Sequence, residues 1–503
     1  MKLCRLWIVI IVLVPVCILS QSLTVPWSNY ARDPQHTAVS KVASLPLTRI
    51  RWQAPVDLNP QYSGTALLIH YGSPIVTAAN TVIMPVKTGD TDGFRLDVRN
   101  GTNGSLKYSL STDYSLPPHN WIPSYGPALT VRNRLYWAGA GGTVYYRDQP
   151  DSVTGPSGQI AFFGNATYSA NPSAFNSTVK ISTPIIGDRY GNIFFGFIVL
   201  GSNPAGLISG LAKIDYRGTG TYITATAAAG GDTSINRVAM NGTPTLSNDH
   251  RTLYFVVSTA SWGSGYLVSI NSLTLDPVAR IRLTDPKSGS NAIVPDDGTA
   301  TPMVGPDGDV YYGVLENPFP SNHDRGWLLH FNGALTQTKT PGAFGWDDTP
   351  SVVPSKLVPS YTGTSPYLVL TKFNNYAGAN GDGVNKIAIL DPNVLALDPI
   401  SGIPTMKEVL TIAGPTPDSE FRPNFPNAVR EWCINSAVVD PFTKSALVNN
   451  EDGILYRWDF TTNTLSQSVV LTAGIGEAYT PTLVGVDGTV YAINNAILFA
   501  VGP

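Results

Sequence analysis

The sequence predicts an all-β chain folded as a single β-propeller. Three observations carry this: a Pro-led hairpin that recurs along the chain, a composition poor in charge and rich in turn formers, and two chain ends that can complete each other. Charged residues fill 13% of the 503 positions, about half of the usual share, while 47 Gly and 40 Pro supply turn points throughout. Such a chain favours short strands and many connections over long helices.

The hairpin is clearest in "YTPTLVGVDGTVYAIN" at 479 to 494. Related stretches begin at Gly72, Tyr125, Ser182, Gly242, Ala300, Asp348 and Asn435, which makes eight copies. In each, a Pro (Ala437 in one copy) opens an apolar strand, turn formers interrupt it, and a β-branched or aromatic strand follows. Pro costs no ladder donor at the first residue of a strand, so it marks where each strand starts. Asp307-Gly308 and Asp487-Gly488 suit turns that need a positive φ. Neighbouring copies are mostly 48 to 60 residues apart. The longer interval before Ala437 reads as an insertion around Asn374 to Ile403, rich in Gly, Asn, Asp and Pro.

A third and a fourth extended segment follow the copies, as in "GFRLDVRNGTNGSLKYSL" and "ILYRWDFTTNTLSQSVVL". Four short strands per unit at this spacing specify four-stranded blades packed around an axis. Eight blades are expected, or seven if the 350 to 436 region divides differently. The last copy supplies two strands and "AILFAVG" at 496 to 502 a third. The missing fourth is expected from "LTRIRWQAPV" at 47 to 56, where Ile50 and Trp52 alternate with Arg49, Arg51 and Gln53. That pairing would close the ring and remove an exposed sheet edge.

Before the propeller, Lys2 and Arg5 precede an apolar run from Leu6 to Leu19 and small polar residues, the pattern of a secretory signal over 1–22. The run is shorter than the roughly 18 residues a spanning helix needs. A secreted chain, extracellular or periplasmic, with a propeller domain over 23–503 is therefore expected. Of the three cysteines, Cys4 and Cys17 fall in the signal, so neither a disulfide framework nor a Cys-based metal site is predicted. A formal charge of −3 points to neither nucleic acid nor anionic lipid.

These residues resemble the quinoprotein-like family of eight-bladed propellers. "WSNYARDPQHTAVS" at 27 to 40 is similar to the segment that opens soluble members, and "TP" followed by "DGTVYAIN" to their repeat. The family's tryptophan-docking motif is matched in degenerate form at Val98 to Tyr108, through Asn100, Asn103, Gly104 and Tyr108. It is matched again at Arg457 to Gln467, through Asp459, Thr462 and Asn463. The resemblance implies either dehydrogenases that use pyrroloquinoline quinone (PQQ) with calcium, or non-catalytic members such as the outer-membrane assembly propeller. A lone Cys433 cannot form the adjacent-cysteine disulfide that many of the enzymes set against the quinone. No Cys-x-x-Cys-His for a cytochrome module occurs either.

Segments that enter the innermost strands border the axial funnel, where propellers bind ligands. They supply His70, His119, Trp121, Lys180, Arg237, Asp297, Trp346, Asp348, Arg430, Glu431, Trp432 and Glu477, with Tyr71, Asp347 and Tyr479 beside them. Convergent aromatic and charged groups in a concave pocket make a ligand site; taken singly, each also suits an ordinary polar connection. Glu is rare, six in all, so Glu431 and Glu477 form a candidate acid and base pair. A structural salt bridge with Arg430 or another base is the favoured reading of them.

"GDTDGFRLD" at 89 to 97 and "NGDGVN" at 380 to 385 are oxygen-rich but lack a terminal Glu, and read as turns rather than calcium loops. His323 and His330 read as exposed loop histidines, and Cys433 as a buried structural cysteine. The function expected is non-catalytic recognition of a protein, glycan or small molecule at the funnel, with no cofactor and no metal. The alternatives are a PQQ-dependent oxidoreductase with calcium and a carbohydrate-active hydrolase or lyase.

Overall fold

A computed structural model describes residues 25–64, 66, 67, 69–119, 121, 126–295, 299–473 and 479–503. The expected signal lies outside them. Eight antiparallel sheets, one per repeat, form the blades of an eight-bladed propeller. The first complete blade shows the pattern in its strands Ile75–Val76, Thr81–Lys87, Phe94–Asn100 and Leu106–Ser111. The inner two are buried at every position, and only the outermost alternates between half-buried and exposed. Inner strands are covered on both faces by neighbouring blades, so they read as apolar runs without a period of two.

The closing blade joins both parts of the chain. Its order is Arg49–Pro55, Ile497–Gly502, Val490–Asn494 and Leu483–Val484. The N-terminal strand runs antiparallel to the C-terminal one, from Arg49 opposite Gly502 to Pro55 opposite Ile497, with a register shift between Ile50 and Trp52. Trp52 reaches into the neighbouring blade, where its indole N–H donates to the Gly101 carbonyl at 2.8 Å. Its ring packs on Gly104, where a Cβ would fall 2.6 Å from the indole and φ is +72°. Glycine is required there on both counts.

Two expectations need correction. The fifth blade has three regular strands, Met303–Val304, Val310–Val314 and Trp327–Phe331. Its fourth place is held by isolated bridges from Thr338 to Phe331 and from Gly342 to Leu328. Nor is Asn374 to Ile403 one insertion. Lys386–Leu397 and Pro404–Ala413 are long third and fourth strands of the sixth blade. The extra length lies in the connections 374–385 and 414–437, whose Gly, Asn and Pro content misled the reading.

Residues 27–45 circle the axis and bond every blade in turn. Trp27 and Val76 exchange two backbone bonds of 2.9 Å, and the amides of Leu129, Leu246, Val304, Val352 and Val439 donate to carbonyls of Ser28, Pro34, Gln35, Thr37 and Ala38. The third blade bonds through Gly187 N–H to Asn29 Oδ1, and the eighth through Leu45 N–H to the Gly488 carbonyl. Except at the eighth blade, where the contact is to the hairpin turn, each group is one an innermost strand would otherwise leave unpaired. Turning so tightly puts Ala31, Arg32, His36 and Ala38 at positive φ. Asp33 braces the bend by accepting from Thr37 N–H at 2.9 Å and Thr37 Oγ1 at 2.6 Å.

Candidate functional site

In an antiparallel four-stranded blade, the connection between the second and third strands emerges at the same end as the link to the next blade. Residues 27–45 bond the far ends of the innermost strands, so both sets of connections meet at the opposite mouth of the channel. There they enclose a cavity of about 430 Å³, within the usual range of small-molecule sites.

Five sequence candidates line it: His70, Trp121, Trp346, Glu431 and Trp432, joined by Asp347 and Tyr479. His70 stacks on Trp121 with centroids 5.2 Å apart, and Tyr479 meets Trp121 edge-on at 5.2 Å. Opposed aromatic faces and edges of this kind are mutually attractive. Trp346 lies 6.1 Å from Trp262 and donates its indole N–H to the Asp324 carbonyl at 2.7 Å. Trp432 is wholly buried and belongs to the core between blades. Cys433 is a buried cysteine outside any disulfide, in the same wall.

Other candidates lie elsewhere. His119 bonds the Pro117 carbonyl at 2.7 Å, and the Lys180 ammonium is taken by the Asn176 carbonyl at 2.7 Å and by Ser115. Arg237 sits in a strand, Arg237–Val238, and does not line the cavity. Arg430 is held by Asp418 at 3.3 Å and Glu451 at 3.5 Å. Asp348 lies behind the wall, accepting from Thr371 Oγ1 at 2.7 Å and Lys372 N–H at 3.0 Å. Asp297 and Glu477 fall outside the described residues, and with Glu477 goes the proposed acid and base pair.

Trp262, Phe319, Asp324, Lys372, Tyr376 and Phe421 also line the cavity, unforeseen from the sequence. Most of these belong to second-to-third connections, so reading only the segments before each repeat sampled half of the converging loops. Lys372 Nζ lies 3.1 Å from Asp347 Oδ2. Burial alone would lower its pKa, but Asp347 and Asp348 outweigh burial and hold it above the ordinary value. Burial pushes Asp348 up to about 7 against the pull of Lys372. Burial, Glu316 and Asp347 likewise push Asp324 up to about 7. His70 goes the other way, down to about 4, because its buried ring resists charge.

The remaining sequence candidates resolve as structure. Residues 88–93 form a turn whose carbonyls at Gly89 and Asp90 accept from Lys87 Nζ, while Arg95 and Arg99 clamp Asp97. In the second loop Asp382 accepts from Asn375 Nδ2 at 2.7 Å. His330 is not an exposed loop residue. It is buried in a strand, stacked on Tyr311 with centroids 4.3 Å apart and bonded to Asp309 at 2.9 Å. Among the described residues no group of three or more His, Cys, Asp or Glu could hold a metal ion, and no helix is long and apolar enough to cross a membrane.

No protein-family model matches the sequence, and no curated protein matches it. Solved structures do. A europium-containing methanol dehydrogenase aligns at 12% identity and TM-score 0.56, over 93% of this chain and 88% of that chain. A quinohemoprotein alcohol dehydrogenase from Comamonas testosteroni aligns at 11% identity and TM-score 0.54, over 96% and 78%. Another quinohemoprotein alcohol dehydrogenase, from Pseudomonas putida HK5, gives 11% and 0.50, over 95% and 76%. At these identities the likeness concerns the fold alone, the eight-bladed propeller described above.

Proposed function

We propose that the chain is an exported propeller that binds a small molecule in the axial cavity between Trp121, Trp346 and Tyr479. One observation carries the reading. The channel is stoppered at one mouth by residues 27–45, while the other holds a partly open aromatic cavity of about 430 Å³ with charged groups in its wall. The test is a thermal-shift screen, with native mass spectrometry of the purified protein for any co-purified ligand. A hit should lose affinity in Trp121→Ala and Trp346→Ala, both half-buried in the native chain. Trp432, a core residue, is left in place. Hits that ignore both substitutions would overturn the reading. Export predicts a secreted form whose N-terminus falls after Ser20 or Ser22.

A second reading is oxidation of an alcohol or sugar with PQQ and calcium. The similar structures named as dehydrogenases favour it over a scaffold role. The residues of the cavity do not fit the group. PQQ is a polycarboxylate, whereas the wall sets Asp324, Asp347 and Glu431 against Lys372, itself bound by Asp347. Calcium would offset that repulsion only where several carboxylates gather around it, and among the described residues no group of three or more His, Cys, Asp or Glu could hold a metal ion. Dye-linked oxidation of an alcohol or sugar after reconstitution with PQQ and calcium would establish this second reading in place of the first.

A further inference from the structure

The cavity wall has a charge imbalance set among aromatic faces. Three acidic side chains, Asp324, Asp347 and Glu431, line it with one ammonium, Lys372, and Asp324, pushed up to about 7, carries its full charge only above neutral pH. Asp348 adds a further carboxylate directly behind that lysine. Glu431, Asp324 and Asp347 all reinforce burial in keeping the Tyr376 hydroxyl protonated, so their fields converge on one point of the wall. His70 contributes no positive charge, since burial keeps its ring neutral above about pH 4.

Two aromatic pairs line the same cavity. Trp121 and Tyr479 meet at right angles, and Trp262 and Trp346 form a second pair. The electron-rich face of an indole or phenol attracts a positive charge, most strongly out of water. The described lining contains no Arg, Asn, Gln, Ser or Thr. Its one cation, Lys372, is already paired with Asp347, which suits the wall poorly to a polycarboxylate and better to a positive charge set among carboxyl groups and aromatic rings. Two ring nitrogens in the wall, His70 Nδ1 and Trp432 Nε1, are buried without a hydrogen-bond partner among the described residues.

Building on the small-molecule reading of the cavity, we infer that its ligand is a small organic cation. Its ammonium or quaternary ammonium head would sit against the Trp121, Tyr479, Trp262 and Trp346 rings and be balanced by Asp324 and Glu431. The arrangement selects for charge as well as shape, because an uncharged ligand of equal size gains the packing without the field.

The probes are choline and its uncharged carbon isostere 3,3-dimethyl-1-butanol, titrated calorimetrically into the full secreted chain, with glucose and PQQ as rivals. Choline should bind at least about tenfold more tightly than the isostere, and Trp346→Ala should weaken it by at least about tenfold. At about pH 8, where Asp324 is ionised, Asp324→Asn, which keeps the shape, should weaken choline while leaving the isostere unchanged. This variant decides the matter if Trp346→Ala fails to fold. Equal binding of choline and isostere, or no choline binding at about 10 mM, overturns the cation inference. If glucose, PQQ or another compound then binds and depends on Trp346, the small-molecule reading stands without the cation. If ligands bind but none depends on Trp121 or Trp346, that reading falls as well.

Discussion

Lys372 Nζ lies 3.1 Å from Asp347 Oδ2, with both side chains almost wholly withdrawn from water. The same Asp347 accepts from Thr299 Oγ1 at 2.9 Å through its other oxygen. The Thr299 carbonyl takes the Thr349 hydroxyl at 2.9 Å, and Thr349 Oγ1 in turn lies 3.0 Å from Tyr30 Oη. Tyr30 belongs to the segment that encircles the axis. One chain of hydrogen bonds thus ties the wall of the cavity to the stopper at the far mouth.

Lys372→Met should therefore destabilise the protein by about 3–5 kcal/mol, because it strands Asp347 in a dry site. Adding Asp347→Asn should recover part of that loss, since the stranded charge goes with it. Urea unfolding of the two single variants and the double variant checks this. Additive losses would mean that the ion pair is not the interaction being broken.

The buried titratable groups act on stability in opposite senses. Asp324 and Asp348, raised to about 7, hold a proton that the unfolded chain has already lost, so they lower stability as pH rises from about 4 to 7. His36 and His70, lowered to about 4, refuse a proton that the unfolded chain accepts, so they raise stability from about 4 to 6.5. The two trends offset each other in the native protein. Asp348→Asn removes one falling contribution, so the stability of the variant relative to the native chain should grow between about pH 4.5 and 7.5. The change should be of order 1–4 kcal/mol. A difference constant across that window would show that Asp348 titrates as an ordinary carboxylate.

Eight hairpins and the ring closure were legible because their causes are local. Pro302 and Pro481 fix strand starts, Asp307-Gly308 and Asp487-Gly488 fix turns, and Ile50 with Trp52 marks a half-buried strand. The cavity was legible only by half. His70, Trp121 and Trp346 precede innermost strands, where the repeat itself points. Trp262 and Tyr376 reach the same place from connections whose shared exit follows from strand order rather than residue pattern. His330 was misread for a related reason. Its partners, Asp309 and Tyr311, lie across a strand pair that sequence separation hides.

The encircling segment predicts a graded response. Tyr30→Phe leaves the Asn435 side-chain oxygen and the Thr349 hydroxyl without the phenol and should cost about 1–2 kcal/mol. Loss of residues 25–40 should cost far more, because the buried amides of Val304, Val352 and Val439 lose their acceptors together. Hydrogen exchange by mass spectrometry provides the readout. Those inner strands should lose protection in the truncated chain and keep it in Tyr30→Phe, and equal protection in both would mean that the segment only lies on the surface of the channel.

Closure of the ring rests on Trp52. Its ring is 5.6 Å from Tyr491 within its own blade, and its indole N–H bonds Gly101 in the next. Trp52→Ala should cost about 3–5 kcal/mol, as expected for a large buried aromatic. Trp52→Phe keeps most of the packing and should cost less, mainly the bond to Gly101. Gly104→Ala should approach the alanine variant from the other side, since its methyl would strike the indole and its φ of +72° disfavours any side chain. Deleting residues 45 to 56 removes the whole outer strand and exposes Ile497–Gly502 as a free edge, so the melting temperature should fall furthest there. Melting curves for the four variants give the order directly. If the deletion melts with the native chain, the two ends do not close the ring and the blade is held by its neighbours alone.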